Sequence, residues 1–78
     1  MNAEAIKERL LPAPVRRRAL RISADLSLQD VADVLGVTRS AVSRWERGER
    51  RPRGQARLRY RALLSELQAA AEQRSPDV

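Results

Sequence analysis

Residues 28–47 read LQDVADVLGVTRSAVSRWER, a stretch that predicts two short helices joined at Gly36. Leu28, Val31, Ala32 and Leu35 recur at i, i+3, i+4 and i+7, which puts them on one face of an α-helix. Ser27, with Asp30 three residues on, is a capping-box pattern that satisfies free N–H groups at the helix start. Gly36 is the expected stop, because glycine takes the positive φ of a sharp turn at almost no steric cost. Thr38 is the expected next N-cap. Beyond it Ala41, Val42 and Trp45 make a narrow apolar stripe, and Arg39, Ser40, Ser43, Arg44 and Arg47 fall outside it. Gly48 ends the second helix.

Two apolar stripes also suit a plain hairpin of helices, so the spacing carries the distinction. A small Ala32 lets the second helix approach closely, Gly36 supplies the turn, and Val42 with Trp45 closes the angle from beneath. Those demands are the ones made by a helix-turn-helix whose second helix, residues 38–47, stands out to enter a DNA major groove.

The stretch from about Arg16 to Arg53 resembles the lambda-repressor-like, Cro-type helix-turn-helix family of phage and bacterial regulators. The matching residues are Arg21 and Ile22 in a preceding helix, SLQDVADVLGV, TRSAVSRWE with its terminal Trp-Glu, and then Gly48 and Pro52. The resemblance covers about half of the chain. It implies phosphate contacts from Thr38 and Arg47, and a partly buried ion pair of Glu46 with Arg21 that locks two helices together. In one place the chain departs from the family, which often has Gln as the first residue of its first motif helix; here that position is Leu28. Any phosphate contact there falls to Ser27, Gln29 or the backbone N–H groups of the helix start. Glu46 also asks for a partner on physical grounds, since a carboxylate near a helix C-terminus opposes the helix dipole. A surface Glu46 screened by neighbouring arginines is the alternative.

The chain carries a net charge of +6, and its location is informative. Between Arg39 and Arg61 lie nine arginines against Glu46 and Glu49, so the positive charge is concentrated at and just after the motif. Such a patch attracts a phosphate backbone and releases its counterions. A merely solvated arginine surface, set by codon usage, is the alternative; the chain has fifteen arginines and a single lysine. Within the patch, Arg39, Ser40 and Arg44 project opposite Val42 and Trp45 and are the candidate base readers. Arginine matches the O6 and N7 of guanine bidentately, so G·C pairs are expected in the site. Thr38, Ser43 and Arg47 suit phosphates, and Arg50, Arg51 and Arg53 suit the backbone or an adjacent minor groove. Trp45 belongs to the apolar stripe and is read as core rather than as an intercalating residue.

Seventy-eight residues allow one small domain, whose core is marginal unless its helices pack well or a partner adds buried surface. There is no cysteine and no histidine, so disulfides and thiolate or imidazole metal sites are ruled out, and no metal or cofactor is expected. No apolar run approaches the ~20 residues of a membrane span, and the N-terminus lacks the apolar core of a signal peptide. No membrane contact and no small-molecule ligand is implied, and a cytoplasmic, nucleoid-associated location is expected.

The flanks complete an all-α bundle of four to five helices. Residues 1–13 are an N-terminal extension in which MNAEAIKERLL suits a short helix with Ala5, Ile6, Leu10 and Leu11 as its apolar residues, until Pro12 and Pro14 intervene. Pro14 suits the first position of a helix running to about Ala24, with Val15, Leu20 and Ile22 as its apolar contacts. Arg16, Arg17 and Arg18 oppose the dipole at that helix start, and they either flank DNA or are simply solvated. After a basic loop with a flexible Gly54, a long helix from about Gln55 to Ala71 places Tyr60, Leu63, Leu64, Leu67 and Ala71 at helical spacing. Leu58 widens that apolar face, which is expected either to pair two copies as a homodimer or to be buried within the monomer. The DNA-binding domain thus spans 14–72, and 73–78 is read as a flexible tail.

An enzyme is disfavoured, because the carboxylates are scattered and no nucleophile–base pair or Gly-rich phosphate loop is present. The expected function is a sequence-specific double-stranded DNA-binding transcriptional regulator. A protein-interaction module on the same fold, such as an antitoxin or adaptor, is the alternative. Single-stranded RNA binding is disfavoured by the want of a stacking platform, Trp45 and Tyr60 being the only aromatic residues.

Overall fold

A computed structural model describes residues 11–74. Four helices follow one another, α1 (Pro14–Ser23), α2 (Leu28–Leu35), α3 (Arg39–Glu46) and α4 (Gly54–Arg74), and the described residues contain no strand. The all-α bundle holds with four described helices; the suggested helix in residues 1–10 lies outside the described residues.

Local chemistry sets the boundaries. Pro14 occupies the first turn of α1, where its missing N–H is no loss. Between α1 and α2 the chain turns through Asp25 at φ 63°, a left-handed conformation that a short polar side chain tolerates. The capping box of α2 is complete: Asp30 N–H donates to Ser27 Oγ at 2.9 Å, and Ser27 N–H donates to Asp30 Oδ2 at 2.8 Å. Gly36, at φ 71°, ends α2 as its N–H and that of Val37 both return to Ala32 O. Thr38 Oγ1 then accepts from Ala41 N–H at 3.1 Å and starts α3.

Leu20 of α1, Val31, Ala32 and Leu35 of α2, Val42 and Trp45 of α3, and Tyr60 and Leu64 of α4 form the buried core. The Trp45 and Tyr60 rings meet at 5.1 Å, tilted by 36°, a favourable aromatic geometry. Leu11, Leu28, Ala41, Leu63, Leu67 and Ala71 pack around this cluster and are partly covered. Helices α2 and α3 pack on each other, and α1 and α4 close the opposite side.

Several sequence expectations are corrected. Val15 and Ile22 do not supply apolar contacts: they are 76% and 50% exposed, and only Leu20 of α1 is buried. The inward face of α1 consists of Arg17, Leu20 and Arg21, spaced i, i+3, i+4, so Val15 and Ile22 are carried round to solvent. Gly54 opens α4 rather than loosening the loop, and α4 runs on through Gln73 and Arg74, past the expected end at Ala71. Residues 75–78 lie outside the described residues. Leu64, on the face offered for pairing, is 2% exposed and belongs to the monomer core.

Candidate nucleic-acid interface

Helix α3 is divided lengthwise. Val42, Trp45 and Glu46 are buried, whereas Arg39, Ser40 and Arg44 are exposed. Because the buried residues recur at i, i+3, i+4, the exposed ones share the outer side of the same helix. Ser43 is half-buried at the edge, and Thr38 is exposed at the N-cap with its hydroxyl proton free to donate. Past Gly48, at φ 73°, the chain turns back and carries Arg50, Arg51 and Arg53 to the exterior, while Pro52 is buried. Ser40, Arg44, Arg50, Arg51 and Arg53 thereby line one open concavity between α3 and the following loop.

Several of the candidate phosphate contacts already have local partners. Arg47 Nε lies 2.8 Å from Glu49 Oε2, an exposed pair of the kind that contributes little to stability and exchanges readily for a phosphate. Gln29 Nε2 donates to Asp33 Oδ1 at 2.8 Å across one exposed turn of α2. Ser27 is occupied in the capping box, whose backbone and hydroxyl donors hold the Asp30 carboxyl below its ordinary 3.8. The charged Asp30 carboxylate therefore stands where an approaching phosphate would meet the start of α2, which weakens that end as an anion site.

The C-terminal turn of α3 is gripped from α1. Arg21 Nε donates to Glu46 Oε2 at 2.6 Å and Arg21 Nη2 to Glu46 Oε1 at 3.0 Å, a bidentate pair with side chains only 13% and 5% exposed. The hydrogen bond to Glu46 raises the Arg21 pKa above its ordinary value. Arg21 Nη1 also donates to Leu26 O at 2.9 Å, tying the α1–α2 turn to the same guanidinium.

Arg17 is the residue that the sequence reading misplaced. Its Nε donates to Pro12 O at 2.7 Å, its Nη1 donates to Trp45 O at 3.1 Å, and its guanidinium carbon lies 5.9 Å from the Tyr60 ring centre. It is turned inward and half-buried, while Arg16 and Arg18 stay exposed. Its sequence signal was the i+4 relation to Arg21 and the shared face with Leu20. Arg59, counted in the basic patch, reaches back to α2, with Nη1 3.5 Å from Leu35 O. Among the described residues the buried Tyr60 hydroxyl has no hydrogen-bond partner; burial, reinforced by the Glu46 charge and opposed by Arg17 and Arg21, pushes its pKa up to about 12.

A sequence profile of the helix-turn-helix family matches residues 18–56, from the middle of α1 to the start of α4. The chain belongs to the lambda-repressor-like, Cro-type helix-turn-helix family. No curated protein and no solved structure matches it. Membership makes α2 and α3 the two helices of the helix-turn-helix, α3 its second, and DNA binding the family's activity. Among the described residues no cluster of acidic side chains suits a metal ion, and no helix is long and apolar enough to cross a membrane.

Proposed function

We propose that this chain is a sequence-specific double-stranded DNA-binding transcriptional regulator, similar to phage or bacterial repressors, that acts in the cytoplasm by occupying an operator. The division of α3 carries the reading: Val42, Trp45 and Glu46 anchor it while Arg39, Ser40 and Arg44 stay exposed beside a basic loop. In this reading α3 lies in the major groove, Arg44 and Arg39 fork onto guanines and Ser40 contacts a neighbouring base edge. Thr38, Ser43, Arg47, Arg50, Arg51 and Arg53 contact phosphates and fix the register, with Ser27 and Gln29 as weaker contacts at the start of α2. Two copies pair along α4, where Leu58 is 46% exposed, to read two half-sites.

Selection from a random duplex pool, followed by gel shift with non-specific competitor, tests the reading. A G·C-containing half-site bound without any second protein is the expected result. About five to eight neutralised phosphates per protomer should give a log–log salt slope of about −5 to −7. A slope shallower than about −2, or binding only in the presence of another protein, would point instead to an interaction module. Leu58→Glu should weaken binding to the full operator more than to one half-site, and sedimentation of monomers on the full operator would remove the pairing.

A further inference from the structure

We infer that Arg17 is a positioning residue for the base-reading helix, setting the orientation of α3 from its C-terminal turn without touching DNA; this rests on the DNA-binding reading above. The last carbonyls of a helix lack intrahelical partners and favour a nearby cation. Trp45 O is one of these; just past the helix it accepts the Gly48 N–H at 3.2 Å, and Arg17 Nη1 donates to it as a second partner at 3.1 Å. The same guanidinium donates through Nε to Pro12 O at 2.7 Å and lies over the Tyr60 ring, so three separate segments meet on one side chain. Pro14 comes close as well, its Cγ lying 3.6 Å from where a Cβ on Gly48 would stand.

Arg17 and Arg21 are one helical turn apart and hold consecutive residues of α3, one by the Trp45 carbonyl and the other by the Glu46 carboxylate. Val42 and Trp45 seat α3 by non-directional packing; two polar contacts from the same rigid element fix the direction of its last turn. Arg44 immediately precedes these two residues and points the other way, so a small rotation about the α3 terminus is transmitted to the base-reading arginines. Misplacement of a recognition group weakens bidentate base contacts, whose geometry the base edge dictates, more than the non-directional charge attraction to phosphates.

The test compares full-length wild type with Arg17→Met, which keeps an apolar stem over Tyr60, and with Arg17→Lys, which keeps the charge but cannot span both carbonyls. For each, affinities for the selected site and for random duplex are measured, together with the salt slope, thermal melting and amide exchange at Gly48 and Glu49. Both variants are expected to fold and to exchange faster at those two amides. The ratio of specific to non-specific affinity is expected to drop about tenfold in both, with the salt slope unchanged. Should Arg17→Met unfold the domain, Arg17→Lys carries the same comparison. An unchanged ratio in a folded variant would overturn the proposal. So would a uniform loss of affinity with a slope shallower by about one that lysine restores, since Arg17 would then contact phosphate directly. Failure of the wild type to prefer any duplex sequence would instead sink the DNA-reading function, and the exchange measurement would still report the grip on α3.

Discussion

Arg21 and Arg44 carry the same side chain on neighbouring helices and meet opposite surroundings. The Arg21 side chain is 13% exposed, with its fork closed on Glu46, whereas Arg44 stands at an open concavity with Ser40 and Arg51. The exchange of partners is complete for the first and still to come for the second. A guanidinium whose donors are filled inside the protein is architecture; one whose donors face solvent on the outer side of α3 is available to an acceptor on DNA. Charge alone cannot tell them apart, and helical phase can.

The largest expected effects fall on the inward side. Trp45→Ala removes a ring packed on Tyr60 and should lower unfolding free energy by ~3–5 kcal/mol, read from denaturant midpoints. Arg21→Ala strands the buried Glu46 carboxylate and should cost a similar ~3–5 kcal/mol. Replacing Arg21 and Glu46 together by methionine should cost less than either single loss, because no buried charge then remains; a double-mutant cycle measures this. Additive losses would mean that the pair is not acting as one unit.

On the outward side the comparison predicts the reverse. Arg44→Ala should lose ~1–3 kcal/mol of binding to the selected site and relax preference at one base position. Its melting temperature should hardly change. If Arg44→Ala melted the domain while Trp45→Ala left it stable but indiscriminate, α3 would be turned the other way round.

A smaller effect tests the joint between the two helices. Gly36 sits at φ 71°, and a Cβ there would come no closer than 3.6 Å to the nearest neighbouring atom, Arg59 Nη1. The penalty of Gly36→Ala is therefore backbone strain without a clash, about 1–2 kcal/mol by thermal denaturation. The smallest effect is expected at the exposed capping box. The Asp30 carboxyl has its pKa lowered by Ser27, so its stabilisation is full above the ordinary 3.8 and lost as pH falls through the lowered value. Asp30→Asn should be less stable than wild type near neutral pH, and the difference should vanish in acid once the Asp30 carboxyl is protonated in both folded and unfolded chains.

Much of the motif was legible because its signals are local. Ser27, Gly36, Thr38 and Gly48 each act within a few residues, and the stripes of Val31, Ala32 and Leu35 and of Val42 and Trp45 lie within single helices. The exposed positions of Arg39, Ser40 and Arg44 follow from the same period. Helix α1 resisted the same treatment because its buried face is built of two arginines around Leu20, and its apolar Val15 and Ile22 face water. An inward arginine is intelligible only once its acceptors are known, and Trp45 O, Glu46 and Leu26 O come from other parts of the chain. The resemblance to Cro-type proteins supplied Arg21; for Arg17 there was only its phase. The breadth of the α4 apolar stripe was visible, but the division between its core side at Leu64 and its open side at Leu58 depends on where α1 docks.

The core joins Leu20, near the start of the described chain, to Tyr60 and Leu64 near its end. Most of the other contacts link α2 to α3, adjacent in sequence and quick to form, whereas the α1–α4 contact closes a loop over nearly the whole domain. During synthesis the motif therefore leaves the ribosome before the element that covers it. Until α4 follows, Val31, Leu35, Val42 and Trp45 have no lid, and the nascent chain is exposed to misassociation. The order of appearance delays function as well: a chain cut short before Tyr60 carries every residue assigned to the DNA and still lacks the aromatic partner and the leucine that complete the seat of α3.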